Sequence, residues 1–90
     1  MFEKLKQFKD LREKAKTLQS ALATEKVEGT AAWGKVKIEM DGNQQVTTVA
    51  IDDGLMAASE KTKLQDGVKE ALNDALKKAQ RKMMEKMKEM

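Results

Sequence analysis

Apolar and polar residues alternate with a period of two through Val36, Ile38 and Met40, with Lys35, Lys37, Glu39 and Asp41 in the alternate positions. Successive side chains of a strand point to opposite sides, so this spacing predicts a strand with one buried face. Asp41-Gly42-Asn43 then supplies residues tolerant of positive φ, and a β-branched run over 46–51 follows directly, which predicts a hairpin. Val46 is out of phase with Val49 and Ile51; a one-residue bulge near Thr47 or Thr48 brings all three to the same side. Upstream, Val27, Gly29 and Ala31 alternate with Glu28 and Thr30, a shorter strand joined through Ala32, Trp33 and Gly34. The three strands form an antiparallel meander with one face that needs cover.

The cover comes from helical periodicity on either side. Phe2, Leu5, Phe8, Leu11, Ala15, Leu18 and Leu22 recur at spacings of three and four, the stripe of an amphipathic helix running to about Ala23. Lys6, Lys9, Glu13 and Lys16 fall roughly opposite it, where a solvated face is the ordinary expectation. Asp52-Asp53-Gly54 ends the last strand, and the connector over 55–58 has room for a helical turn. A second helix starts between Ser59 and Thr62, with Thr62 and Gln65 as a candidate capping box. Leu64, Val68, Ala71, Leu72, Ala75, Leu76, Ala79, Met83, Met87 and Met90 continue one apolar face to the last residue, and Gly67 is its local weakness.

Length bears on assembly. A helix over 62–90 is roughly 43 Å long at about 1.5 Å per residue, whereas a seven-residue strand reaches only about 23 Å. The last turns, with Met83, Met87 and Met90, outrun their own sheet and need a partner, of which a second copy is the simplest. The expectation is a homodimer of a single α+β domain spanning residues 1–90.

Charge is segregated along the chain. Residues 1–16 hold six Lys/Arg and three Asp/Glu, residues 17–60 three and seven, and residues 61–90 nine and five, so net charges of +3, −4 and +4 place an acidic middle between two basic ends. With no Cys there is no disulfide scaffold, thiolate nucleophile or Cys-based metal centre, and with no His there is no Ser-His triad, imidazole base or ordinary transition-metal site. The charged N-terminal residues lack the apolar core of a signal peptide and no apolar run approaches membrane-spanning length, which leads to the expectation of a soluble cytoplasmic protein.

The remaining candidate chemistry is thin. Asp41, Asp52 and Asp53 sit at strand ends, where Asp serves turns far more often than acid–base catalysis. The five glycines match neither a phosphate-binding loop nor a dinucleotide fingerprint, so no enzyme signature is present and no cofactor, metal or small-molecule substrate is expected. Trp33, the only Trp, is expected to pack against a helix or a dimer partner rather than stack on a base. The methionines at 83, 87 and 90 read as core or dimer packing, with Met84 off the stripe. Glu70, Asp74, Lys77, Lys78, Arg81, Glu85 and Lys88 form ladders at spacings of three and four that support a helix, and a dimer doubles the basic ends into a field that attracts DNA phosphates.

The opening MFEKL, the central VEGTA, GKVKIEMDG and VTTVAID, and the helical LQDGVKEALNDALKKA followed by EKM resemble, in order and over nearly the whole chain, the YbaB/EbfC family of bacterial nucleoid-associated proteins. The resemblance implies an α-β-β-β-α subunit with a three-stranded antiparallel sheet, dimerised through its sheet region, whose long terminal helices project like the arms of tweezers. It implies binding of double-stranded DNA with little sequence discrimination, in the cytoplasmic nucleoid, with an influence on nucleoid organisation and gene expression. By position, the basic arms correspond to Lys4, Lys6, Lys9, Arg12, Lys14 and Lys16, and to Lys77, Lys78, Arg81 and Lys82. Two departures stand out: Ala31-Ala32-Trp33-Gly34 occupies the place of a Gly-rich run and should be stiffer and bulkier, and the first helix is poorer in Met and Gln than is typical, with no extended C-terminal tail expected. Two other functions remain open: an assembly adaptor that uses the acidic sheet region or the Met-bearing helix ends, and, less favoured, a metal-dependent activity at Asp52 and Asp53.

Overall fold

The computed structural model describes residues 2–89, and the side chains of 4–89. The order is α1 (Phe2–Ala23), β1 (Lys26–Ala31), β2 (Val36–Asp41), β3 (Val46–Ile51) and α2 (Lys61–Glu89), with single 3-10 turns at Ala32–Gly34, Asp53–Leu55 and Ala58–Glu60. Met90 and the side chain of Phe2, both counted in the expected apolar stripes, lie outside the described residues.

The sheet is the antiparallel meander β1-β2-β3. Its register places Val27 opposite Met40, Gly29 opposite Ile38 and Ala31 opposite Val36. Between β2 and β3, Val36 faces Ile51, Ile38 faces Val49 and Met40 faces Val46, with the pairing shifted between Glu39 and Met40 so that Thr47 is the extra residue. The expected bulge therefore lies at Thr47, whose hydroxyl donates to the Glu39 carbonyl at 3.2 Å, and it brings Val46 into phase with Val49 and Ile51.

Helix α2 lies on this apolar face, over β1 and β2. The seam is narrow because it is lined by small residues one turn apart: Gly67, Ala71, Ala75 and Ala79 are all buried. Gly29 completes it, since a Cβ there would overlap the Ala71 carbonyl and the Ala75 backbone. Gly67, a weakness by helix propensity, is thus a point of close approach to Val36. Val36, Ile38, Met40, Val27 and Leu55 fill the rest of the core.

The cover stops short of β3. Val46 and Val49 share the inner face with Ile38 and Met40, yet remain 48% and 53% exposed. The two edges of the sheet also differ. On the outer edge of β1, the Thr30 N–H donates to Asp74 Oδ2 at 3.1 Å, and the Lys78 ammonium donates to the Glu28 carbonyl at 2.7 Å. Asp74 and Lys78, themselves paired at 3.3 Å, occupy the backbone groups another strand would need. Beyond β3 no strand follows in the described sheet.

Three expectations are corrected. The positive φ of the β2–β3 turn falls on Gln44 (65°), while Gly42 has none. Gly42 is needed for space instead: its N–H donates to the Leu22 carbonyl at 2.9 Å, and a Cβ would strike Leu22 at 2.8 Å. With Asn43 Nδ2 on the Gln19 carbonyl at 3.0 Å, this turn caps the C-terminal end of α1 and so roots the arm on the sheet. No capping box forms at Thr62, because α2 continues from the turn Ala58–Glu60 and Thr62 is already inside it. For Trp33 the correction concerns the helix alone: among the described residues it packs against no helix of its own chain. Ala32, Trp33 and Gly34 all have positive φ (52°, 61° and 81°), a left-handed turn that directs Ala32 toward the core and leaves Trp33 100% exposed.

Candidate nucleic-acid interface

The basic residues of α1 stand on a helix that, among the described residues, meets the rest of the chain only near its C-terminal end, where Leu22 is buried and Leu18 half-buried. Lys4, Lys6, Lys9, Arg12, Lys14 and Lys16 are all exposed, and among the described residues no ion pair engages them. Lys9, Arg12 and Lys16 line one shallow groove beside Glu13. The other side of the arm is apolar and equally uncovered, with Leu5, Phe8 and Leu11 each about two-thirds exposed.

The cations of α2 divide into two sets. Lys77 and Arg81, one turn apart, are exposed and take no part in an ion pair among the described residues. Lys78 is held by Glu28 and Asp74, as above. Lys82 stands 4.0 Å from Glu25 and 3.8 Å from Glu85. A groove of 380 Å³ beside Val27 and Glu28 brings Lys78, Arg81 and Lys82 together.

Lys86, not singled out in the sequence, belongs with this group. Its ammonium lies 3.2 Å from Glu25 and 3.5 Å from Glu89, and the bond to Glu25, with the negative charge of Glu89, holds its pKa above the ordinary value. Glu25 sits at the corner between α1 and β1, so Lys82 and Lys86 tie α2 to the root of the arm. The acidic residue just after Ala23 and the cations at i and i+4 on α2 were visible in the chain, but their meeting depends on the helix crossing.

The Thr30 N–H, and then the Lys78 ammonium, hold the pKa of Asp74 below its ordinary value of 3.8. A depressed carboxyl contributes stability that is present above its unfolded pKa and lost as pH falls through the folded one. Asp74→Asn is therefore expected to flatten the fall in stability below pH 3.8, read by denaturant unfolding over a pH series; an unchanged acid limb would remove Asp74 as its source.

The acidic strand-end residues serve turns. Asp41 Oδ1 accepts from the Asn43 and Gln45 N–H groups at 2.8 and 3.0 Å, and Asp52 Oδ1 accepts from the Gly54 N–H at 2.7 Å. Among the described residues no group of three or more acidic residues is placed to hold a metal, and no helix is long and apolar enough to cross a membrane.

Comparison with known proteins agrees with the sequence resemblance. Residues 1–90 match the model of the YbaB/EbfC DNA-binding family. A nucleoid-associated protein of Dictyoglomus thermophilum is 42% identical over 86 residues, which is 96% of this chain and 83% of that protein. One from Gloeobacter violaceus is 38% identical over 88 residues, covering 98% and 78%. The crystal structure of the uncharacterized protein HP0035 from Helicobacter pylori superposes with a TM-score of 0.73 over 87% of this chain and 90% of that one, at 19% identity, a likeness of fold. An α-β-β-β-α subunit with two long helices, basic along both, thus coincides with a family match over the whole chain, and the chain belongs to the YbaB/EbfC DNA-binding family.

Proposed function

We propose that this protein binds double-stranded DNA as a homodimer, through phosphate contacts from its basic helices and with little sequence discrimination, and that it acts in the nucleoid to organise DNA and influence gene expression. The observation that carries this reading is the placement of charge. Exposed cations without ion-pair partners among the described residues are found along α1 and at Lys77 and Arg81 of α2, while Asp41 and Asp52 serve turns and Asp74 the edge clamp. Helical cations attract phosphate from any sequence, and sequence readout needs groups aimed at base edges. Lys4, Lys6, Lys9, Arg12, Lys14, Lys16, Lys77 and Arg81 are assigned to phosphate; Lys78 and Lys82 contribute field to the same surface while holding Glu28, Asp74 and Glu25.

The dimer is assigned to β3. Its inner face carries the half-exposed Val46 and Val49, and its edge is the one that no side-chain clamp occupies, so strand pairing and apolar burial favour the same contact. Val49→Asp is expected to convert the dimer to a folded monomer, because the charge would be desolvated in the contact. Light scattering at matched concentrations reads the mass, and a dimer surviving the change would exclude this face.

Fluorescence anisotropy of a labelled random-sequence duplex, titrated with protein over a salt series, tests the DNA reading. Affinity that falls steeply with salt and changes little between duplex sequences is expected. An intact dimer that binds no duplex at low salt would overturn the proposal and turn attention to protein partners of the acidic sheet region or the Met-bearing helix ends.

A further inference from the structure

At the end of the sheet remote from the arm, the left-handed turn holds Trp33 over a cleft of 370 Å³ between that turn, Leu55 and the first turns of α2. Leu55 and Gly67 are buried there, and Lys35 also lines the cleft, a cation against its carboxylates. The α2 wall presents Asp66 and Glu70, like charges one turn apart, a pairing that disfavours the helix by itself. Lys63, also on this wall, is paired with Glu60 at 3.3 Å, and among the described residues no ion pair engages Asp66 or Glu70. An indole beside two carboxylates over an apolar base suits a cationic side chain next to an apolar one: the cation gains from both the ring face and the carboxylates.

The chain carries such a segment itself. On α1, Phe8 is 71% exposed, and Arg12, one turn later, stands at the boundary between the apolar stripe and the groove it shares with Lys9 and Lys16, within a stretch of net charge +3. Arm and cleft cannot meet inside one molecule. The arm is rooted at Gly42, beyond the Met40 end of β2, whereas the cleft lies at the Val36 end, in a molecule 65 Å long.

We propose that the Trp33 cleft receives the α1 arm of another molecule, with Phe8 against the indole and Arg12 facing Asp66 and Glu70. The inference rests on the reading above in one respect, that the arms project from the dimer. The contact is heterologous, a different surface on each side, so its repetition links dimers further, into a ring where the rotation closes and into an open chain where it does not. Lys6, Lys9 and Lys16, roughly opposite the apolar stripe, stay available to phosphate while the stripe is docked.

Trp33 is the only Trp in the chain, so its emission reports the cleft alone. Sedimentation velocity of the full chain without DNA, at low salt and rising concentration, is expected to reveal species heavier than the dimer, accompanied by a blue shift of Trp33 emission as the indole leaves water. Asp66→Lys with Glu70→Lys, both exposed positions, should leave the dimer folded and weaken the heavier association roughly a hundredfold, as like charges then meet across the contact. Adding Arg12→Glu to that variant should restore it. A wild-type protein that stays dimeric with solvated Trp33 emission at every concentration overturns the proposal, as do heavier species untouched by the charge reversal. A blue shift that appears only on adding duplex DNA overturns it in favour of nucleic acid at the cleft. Loss of DNA binding with the heavier species retained would sink the DNA reading alone, and a monomer as the base species would sink the β3 dimer alone.

Discussion

Replacing Lys77 and Arg81 together with Gln is expected to lower affinity for a random duplex by roughly three orders of magnitude at about 0.1 M salt and to flatten the salt dependence by about 3.6. The figure follows from counterion release: each phosphate contact contributes about 0.9 to the slope of log affinity against log salt, and two residues in each of two protomers make four contacts. These two residues are chosen because the fold leaves them exposed and, among the described residues, outside any ion pair, so their loss breaks no hydrogen bond or ion pair of the fold. Lys78 is omitted, since Lys78→Gln would also release the Glu28 carbonyl and Asp74 at the edge of β1. Anisotropy at several salt concentrations, with light scattering to show the dimer intact, decides the matter. A slope unchanged from wild type would remove α2 from the DNA surface and leave the cations of α1.

The second large effect concerns stability. Gly29→Ala is expected to destabilise the fold by about 3 kcal/mol or more, at the upper end of overpacking changes, in a chain whose total stability is on the order of 5–13 kcal/mol. The added methyl would occupy the Ala71 carbonyl and the Ala75 backbone, and neither can rotate away as a side chain would. Relief requires α2 to lift from β1, which opens the seam at Gly67, Ala71, Ala75 and Ala79 together. The corresponding fall in Tm is roughly 12–24 °C, read by thermal circular dichroism. Gly54→Ala is the control: its Cβ would meet only the end of the Asp52 side chain, at 3.1 Å, and a change under about 1 kcal/mol is expected. Equal effects at the two positions would contradict the close helix–sheet approach.

Local patterns carried most of the architecture. Period two at Val36, Ile38 and Met40 identified β2, the phase slip at Val46 identified the bulge, and the stripe ending near Ala23 marked the end of α1. Each depends on neighbours in the chain, where spacing and geometry are tied together by the strand and helix repeats. The candidate interface was legible as composition, a basic segment at each end, and the family resemblance assigned it a partner. Which cations are committed elsewhere was not legible: Lys77 and Lys78 are adjacent in sequence, yet Lys78 reaches the Glu28 carbonyl fifty residues away while Lys77 faces solvent.

The sequence by itself determined the elements, their order, the bulge, the segregation of charge and the family, because hydrophobic periodicity, residue chemistry and motif order are properties of the chain taken locally. Only the tertiary structure decided what each non-local contact requires. Gly42 is a glycine because Leu22 lies against it, and Gly29 because α2 does. Trp33 faces water because its turn directs Ala32 inward instead. The β1 edge is closed by Asp74 and Lys78 while β3 keeps Val46 and Val49 half-exposed. These outcomes are set by the seating of the α1 end on the β2–β3 turn and by the crossing of α2 over two strands of three, three-dimensional packing choices that no local repeat encodes.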